Sequence, residues 1–185
     1  MSSPTHVSPQ SWNQSPSIQI DLSKTYYATV ITTMGSFKIQ LFANETPIAV
    51  NNFVFLASHG FYNGIIFHRI IKSFVIQAGD PTGTGAGGPG YTINDELPVK
   101  HNYDAGIVAM ANLKPNMGGS QFFICTGPDA TNLNSLPWYT QFGKVVNGMD
   151  VVQKIALVPV GQGNDGEASR PIDPPVIERI VITVK

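Results

Sequence analysis

Arg69 lies in an unusual place for a cation. It sits inside the apolar run Phe67-His68-Arg69-Ile70-Ile71, in a chain with only three arginines. Phe74-Val75-Ile76-Gln77-Ala78-Gly79-Asp80 follows at once. A third cluster joins Met110-Ala111-Asn112 to Gly118-Gly119-Ser120-Gln121-Phe122-Phe123-Ile124. A guanidinium is always charged and presents its N–H donors in one fixed plane, while Asn and Gln amides both donate and accept. An arginine held among Phe and Ile residues is less readily explained as a surface ion pair and can serve as a fixed electrostatic donor. The plainer alternatives are a surface ion pair for Arg69, core packing for Phe74 and Phe123, and turn-stabilising bonds for the amides.

Other chemistries find little footing. His6, His59, His68 and His101 show no metal-ligand spacing. Asp95 and Glu96 are adjacent, so a strand would point them to opposite faces, unlike a glycosidase pair. No G-x-S-x-G motif occurs. Gly83, Gly85 and Gly88 satisfy G-x-G-x-x-G, but a dinucleotide loop must open a helix, and Tyr91-Thr92-Ile93-Asn94-Asp95-Glu96 carries no helix signal. Cys125 has no internal disulfide partner and reads as a buried, inert thiol.

The frame that must position these residues is one domain. The chain has 185 residues, 42% hydrophobic and 12% charged, enough for one core. A formal net charge of −1 points to no nucleic-acid or anionic-membrane partner. The 18 Gly and 14 Pro imply many turns and favour a β-rich fold. No apolar stretch reaches the roughly 18 residues a membrane helix needs. Residues 1 to 17 hold six Ser and three Pro, with Trp12 the only large apolar side chain, so a flexible tail is expected over residues 1–22 and the folded domain over 23–185. The N-terminus lacks a basic region followed by an apolar one, so a cytoplasmic location is expected. The alternative is an exported protein with residues 1–22 left after processing.

Tyr26 to Thr32, a turn at Met34-Gly35, and alternation of Phe37, Ile39 and Leu41 with Ser36, Lys38 and Gln40 predict a hairpin. A helix should begin with Thr46 as N-cap and Pro47 at its first position, and end at Gly60. Val50, Phe53, Val54 and Ala57 form its apolar face, with Asn51, Asn52 and Ser58 elsewhere. Short strands are expected around Phe67–Ile71, Phe74–Ala78, Ile107–Ala111, Phe122–Thr126 and Gly143–Val146. A second helix should cover Met149–Ala156, and a last strand should alternate through Ile180, Ile182 and Val184. Gly161–Pro175 reads as a surface loop. The sum is a mainly β fold: an eight-stranded closed antiparallel barrel capped by two helices.

The combination F-H-R-I-I, F-x-x-Q-x-G-D, M-A-N and G-S-Q-F-F-I, in this order, closely resembles cyclophilins, particularly single-domain, bacterial-like ones. The resemblance runs from about Tyr26 to the C-terminus. It implies a peptidyl-prolyl cis/trans isomerase that assists protein folding, works as a monomer and needs no cofactor or metal. Its partners would be proline-containing peptides and unfolded or folding proteins. Arg69 would be the catalytic donor. Phe74, Val75, Phe123 and Leu133 would line the proline slot, with Val75 where the family usually has Met. Gln77 and Gln121 would hold the substrate backbone. Asn112 and the backbone of Ala111 would pair it as an added strand does. His68 would be a binding contact, and Gly85 would let the substrate approach closely. Tyr139 stands where the family often has a rim His. Asn132 stands where it often has Trp, which implies reduced cyclosporin affinity. A two-residue insertion between Leu133 and Tyr139 leaves Trp138 as an alternative rim residue. A binding module for proline-containing segments is the rival, and it would need the pocket but not the Arg69 donor.

Overall fold

The computed structural model describes residues 10–185. Its strands are β1 (Tyr26–Thr32), β2 (Gly35–Leu41), β3 (Arg69–Ile71), β4 (Val75–Ala78), β5 (Ile107–Met110), β6 (Phe122–Cys125), β7 (Gln141–Asn147), β8 (Val160–Gln162), β9 (Ala168–Pro171) and β10 (Ile177–Val184). The helices are α1 (Pro47–Ser58) and α2 (Met149–Ala156), and a 3-10 helix covers Pro128–Ser135. Eight strands form one antiparallel sheet in the order β10-β1-β2-β7-β5-β6-β4-β3.

The sheet curls until its ends meet, yet β3 and β10 share no full ladder. Closure runs instead through the segment before β3. Gly64 N–H donates to Ile177 O at 2.7 Å, Ile177 N–H to Ile65 O at 2.8 Å, and Phe67 N–H to Pro175 O at 2.9 Å. The inner face packs on α1 around Phe53, whose ring centroid lies 5.1 Å from Phe142, 5.2 Å from Tyr62 and 5.6 Å from Phe122.

Three expectations change. Gly161–Pro175 is more than a loop, because β8 and β9 pair there as a separate hairpin. The Asn164-Asp165-Gly166 tripeptide is a strong turn signal, but the flanking strands are too short and too polar to show periodicity.

Asn51 and Asn52 of α1 are buried, not solvent-facing. Asn51 Oδ1 accepts from the Gln19 and Ile20 N–H groups at 2.8 and 3.3 Å, and its Nδ2 donates to Ser17 O at 3.0 Å. Asn52 Nδ2 donates to Gly119 O at 2.7 Å. The start of α1 is satisfied by Glu96, whose carboxylate accepts from the N–H groups of Ile48 and Ala49 at 3.0 and 2.9 Å. Thr46 holds the N-cap position, but its hydroxyl donates to Gln141 O. Gly60 follows the cap His59 at φ +70°, as a helix C-terminus favours.

Those Asn51 bonds correct the flexible-tail expectation for residues 10–22. This segment lies along the body, with Ile20 buried and Trp12 stacked edge-on to Phe55 at 5.1 Å. Ser- and Pro-rich composition reports how little the segment can bury alone. It is blind to a ready-made surface offered by α1. Residues 1–9 of the expected tail lie outside the described residues.

Candidate active site

Strand register assembles the site. Arg69 of β3 pairs with Gln77 of β4, Gln77 with Phe123 of β6, and Phe123 with Ala109 of β5. Directly paired residues share a sheet face, so these four form one lateral row across four strands. β6 is buried on both faces: Phe122 and Ile124 enter the main core, while Phe123 and Cys125 enter a second apolar cluster with Val75 and Ala130. Phe74, Ala111, Leu133 and Tyr139 pack against that second cluster. The result is a cation at one end of a row and an apolar floor along it.

Gly79 explains how β4 and the Ser120-Gln121 stretch come together. Its φ is +96°, and a Cβ there would collide with the Ser120 carbonyl and come within 2.8 Å of Gln121 Cα. Ser120 Oγ donates to Gly79 O at 2.6 Å and pins the approach.

Above the row opens a cavity of about 600 Å³. Its lining includes His68, Arg69, Phe74, Val75, Gln77, Gly85, Ala111, Asn112, Phe123, Leu133 and Tyr139. Gln121 is the one expected site residue outside it. It lines an adjoining groove of about 210 Å³. Its side chain is occupied by the protein: Nε2 donates to the carbonyls of Gly85 and Gly87 at 3.0 Å each, and Oε1 accepts from Gln77 Nε2 at 3.0 Å. Gln121 therefore anchors the glycine-rich loop. Asn112 Nδ2 donates to Asp95 Oδ1 at 3.0 Å. Tyr139 lines the cavity; Trp138 is 57% exposed and lies outside the lining. The Tyr139 ring meets Phe123 edge-on at 5.4 Å. Asn132 is exposed and lies outside the lining.

The glycine-rich loop opens no helix, in line with the weak nucleotide signal read from the sequence. Asp80 holds its start by accepting from Thr82 N–H and Thr82 Oγ at 2.7 Å each, and from Gly85 N–H. Burial opposes the Asp80 charge, but these bonds keep its carboxyl below the usual value.

The electrostatics centre on Arg69. Its Nε donates to Asp165 Oδ2 at 2.8 Å, and both side chains are partly exposed. Burial works against the Asp165 charge, yet bonds from Ser169, Arg69 and Glu167 N–H hold its pKa down at about 2. Buried His68 is favoured in its neutral form, first by desolvation and then by Arg69 and Arg170, against the pull of Asp80. Among the described residues its Nδ1 has no hydrogen-bond partner. Cys125 is buried and its thiol pKa is pushed up to about 12 by desolvation and Asp104.

Sequence reasoning missed one wall of the cavity. Thr84, Ala86 and Leu113 belong to the lining, as do Gly163, Asn164, Asp165, Ser169 and Arg170 of the β8–β9 hairpin. The Asn-Asp-Gly turn signal marked that hairpin, but nothing local tied it to residues about a hundred positions earlier.

The model for the family "Cyclophilin type peptidyl-prolyl cis-trans isomerase/CLD" matches residues 27–182. A Neurospora crassa peptidyl-prolyl cis-trans isomerase-like 1 is 45% identical over 138 residues, covering 70% of this chain and 80% of the relative. A Helicobacter pylori peptidyl-prolyl cis-trans isomerase is 46% identical over 140 residues, covering 73% and 83%. A crystal structure of a Cryptosporidium parvum cyclophilin type peptidyl-prolyl cis-trans isomerase, obtained in the presence of the dipeptide Ala-Pro, is similar at TM-score 0.73 and 38% identity, covering 85% of this chain and 98% of that one. Fungal, bacterial and plant relatives match at comparable identity, so a specifically bacterial character does not follow.

Proposed function

Because this chain belongs to the cyclophilin-type peptidyl-prolyl cis-trans isomerases, we propose that Arg69 lowers the rotation barrier by donating to the proline nitrogen of the twisting amide. The activity of the chain is peptidyl-prolyl cis-trans isomerisation. Its proposed substrates are proline-containing segments of peptides and of unfolded or folding proteins.

C–N resonance imposes a barrier of roughly 18–20 kcal/mol. At the twisted geometry the resonance is lost, and the proline nitrogen gains a lone pair that can accept a hydrogen bond. The step breaks no covalent bond and moves no proton. A fixed donor, an apolar slot for the ring and groups holding the flanking backbone are sufficient. The Arg69-Gln77-Phe123-Ala109 row carries this reading, because it sets the guanidinium at the edge of the floor on which a proline ring would rest. Phe74, Val75, Leu133 and Tyr139 complete that slot. Gln77, Asn112 and the backbone of Ala111 hold the flanking chain.

Isomerisation of a Xaa-Pro peptide, followed by exchange NMR or a proteolysis-coupled assay, tests the reading. Arg69→Ala should lose about 2–4 kcal/mol of transition-state stabilisation, by analogy with removing an electrostatic donor elsewhere. A variant with full activity would leave a proline-binding module as the better description.

A further inference from the structure

The Arg69–Asp165 pair joins two parts of the chain that meet only in the folded protein. Asp165 lies in the turn between β8 and β9, and its carboxylate is held from its own hairpin. Oδ1 accepts from Ser169 Oγ at 2.7 Å and from Glu167 N–H at 3.1 Å, and Ser169 is only 2% exposed. The second oxygen, Oδ2, takes Arg69 Nε at 2.8 Å. The hairpin is tied to the opposite wall as well, through Arg170 Nη1 to Gly83 O and Asn164 Nδ2 to Thr84 O, each at 3.4 Å. The carboxylate is therefore a fixed object, and Arg69 leans on it.

A partly exposed ion pair contributes little to stability. Its geometry matters more. Bonding through Nε alone fixes the guanidinium plane and leaves the four Nη hydrogens for another acceptor. An unrestrained arginine would sample many rotamers, and a donor must already point at the place where the lone pair develops.

We infer that Asp165 is a positioning residue for isomerisation, holding Arg69 through Nε so that the Nη groups face the twisting amide. The inference rests on Arg69 being the transition-state donor. Asp165 touches no substrate in this account and acts only through Arg69. An opposite effect is also physically available. Asp165 offsets the Arg69 charge, so if orientation were unimportant its removal would leave a stronger cation and a faster enzyme.

The experiment compares wild type, Asp165→Ala, Asp165→Asn, Arg69→Ala and the Arg69→Ala/Asp165→Ala double variant, with kcat and KM for one Xaa-Pro peptide. Asp165→Ala should lower kcat roughly tenfold or more, as a misaligned catalytic group does, and leave KM within about twofold. Asp165→Asn keeps an acceptor oxygen and should recover part of the loss. The slowly exchanging Nε–H resonance of Arg69 should disappear in Asp165→Ala, and the melting temperature should fall by a few degrees because buried Ser169 Oγ and Glu167 N–H lose their acceptor. The split between kcat and KM separates the positioning role from that loss of stability. In the Arg69→Ala background, removing Asp165 should cost nothing further. Unchanged or increased kcat in Asp165→Ala overturns the inference while a dead Arg69→Ala leaves the catalytic reading intact. An active Arg69→Ala removes both. Should Asp165→Ala fail to fold, Asp165→Asn carries the test, and full wild-type kcat together with loss of the Arg69 Nε–H signal would sink the idea.

Discussion

The backbone N–H of Trp12 donates to the carbonyl of Pro89 at 2.8 Å, fastening the N-terminal arm to the end of the glycine-rich loop. The arm lies outside residues 27–182, the span that matches the family model. Gly90, with φ at +94°, lets Trp12 O come so close that a Cβ would sit 2.6 Å from it. The indole also packs against Phe55, His59 and Phe61. Trp12→Ala should therefore destabilise the fold by about 2 kcal/mol, below the cost of truncating a fully buried Trp. Urea unfolding checks this, and an unchanged midpoint would show that the arm adds nothing.

Gln121→Ala should act on the loop before it acts on chemistry. It frees the Gly85 and Gly87 carbonyls and the Gln77 amide together. The expected stability loss is about 1–2 kcal/mol. Hydrogen exchange at Thr82 and Gly85 should quicken, and KM should rise more than kcat falls. Faster exchange confined to other regions would argue against the anchoring role.

His68 gives stability a pH dependence of defined sign. Its folded pKa lies below the ordinary 6.5, first through burial and then through Arg69 and Arg170. The unfolded chain therefore takes up a proton that the fold resists. The contribution is fully present above about pH 6.5 and is lost as pH falls through the folded value. Denaturation midpoints should drop between about pH 7.5 and 5 more in wild type than in His68→Gln. Equal drops would mean that His68 carries no such penalty.

Cys125 should resist alkylation in the native state. Its thiol is buried, and its pKa of about 12 leaves almost no thiolate at neutral pH. Modification followed by mass spectrometry should proceed only at the rate of opening, and rapid labelling of folded protein would contradict this burial.

Cyclosporin should bind more weakly than to family members that carry Trp where this chain has Asn132. Asn132 and Trp138 are exposed and lie outside the cavity lining, so neither supplies an indole donor there. Inhibition titrated against isomerase activity should give constants well above nanomolar.

Local order was readable where residue type and period acted within a few positions. The hairpin at Met34-Gly35, Pro47 at the start of α1, Gly60 after its end and the bounds of α2 all follow from turn chemistry, capping and periodicity. The burial of Asn51 and Asn52 did not, because a polar residue on a helix faces water unless another segment brings it partners. Those partners are Ser17, Gln19, Ile20, Tyr91 and Gly119.

The sequence by itself singled out Arg69, Gln77, Asn112 and Phe123, all of which line the cavity, because an arginine set between Phe67 and Ile70, with those residues at their spacings, is a rare combination of type and order; it gave no sign of the wall from the β8–β9 hairpin. Tertiary structure alone decided how they work together. Cross-strand register put Arg69, Gln77, Phe123 and Ala109 in one row. Loop packing made Gln121 an anchor of the glycine-rich loop. A hairpin about a hundred residues downstream brought Asp165 to Arg69. The physical reason is the same in each case: hydrogen bonds and ion pairs act over a few ångströms in space, and strand pairing makes neighbours of residues that no local pattern connects.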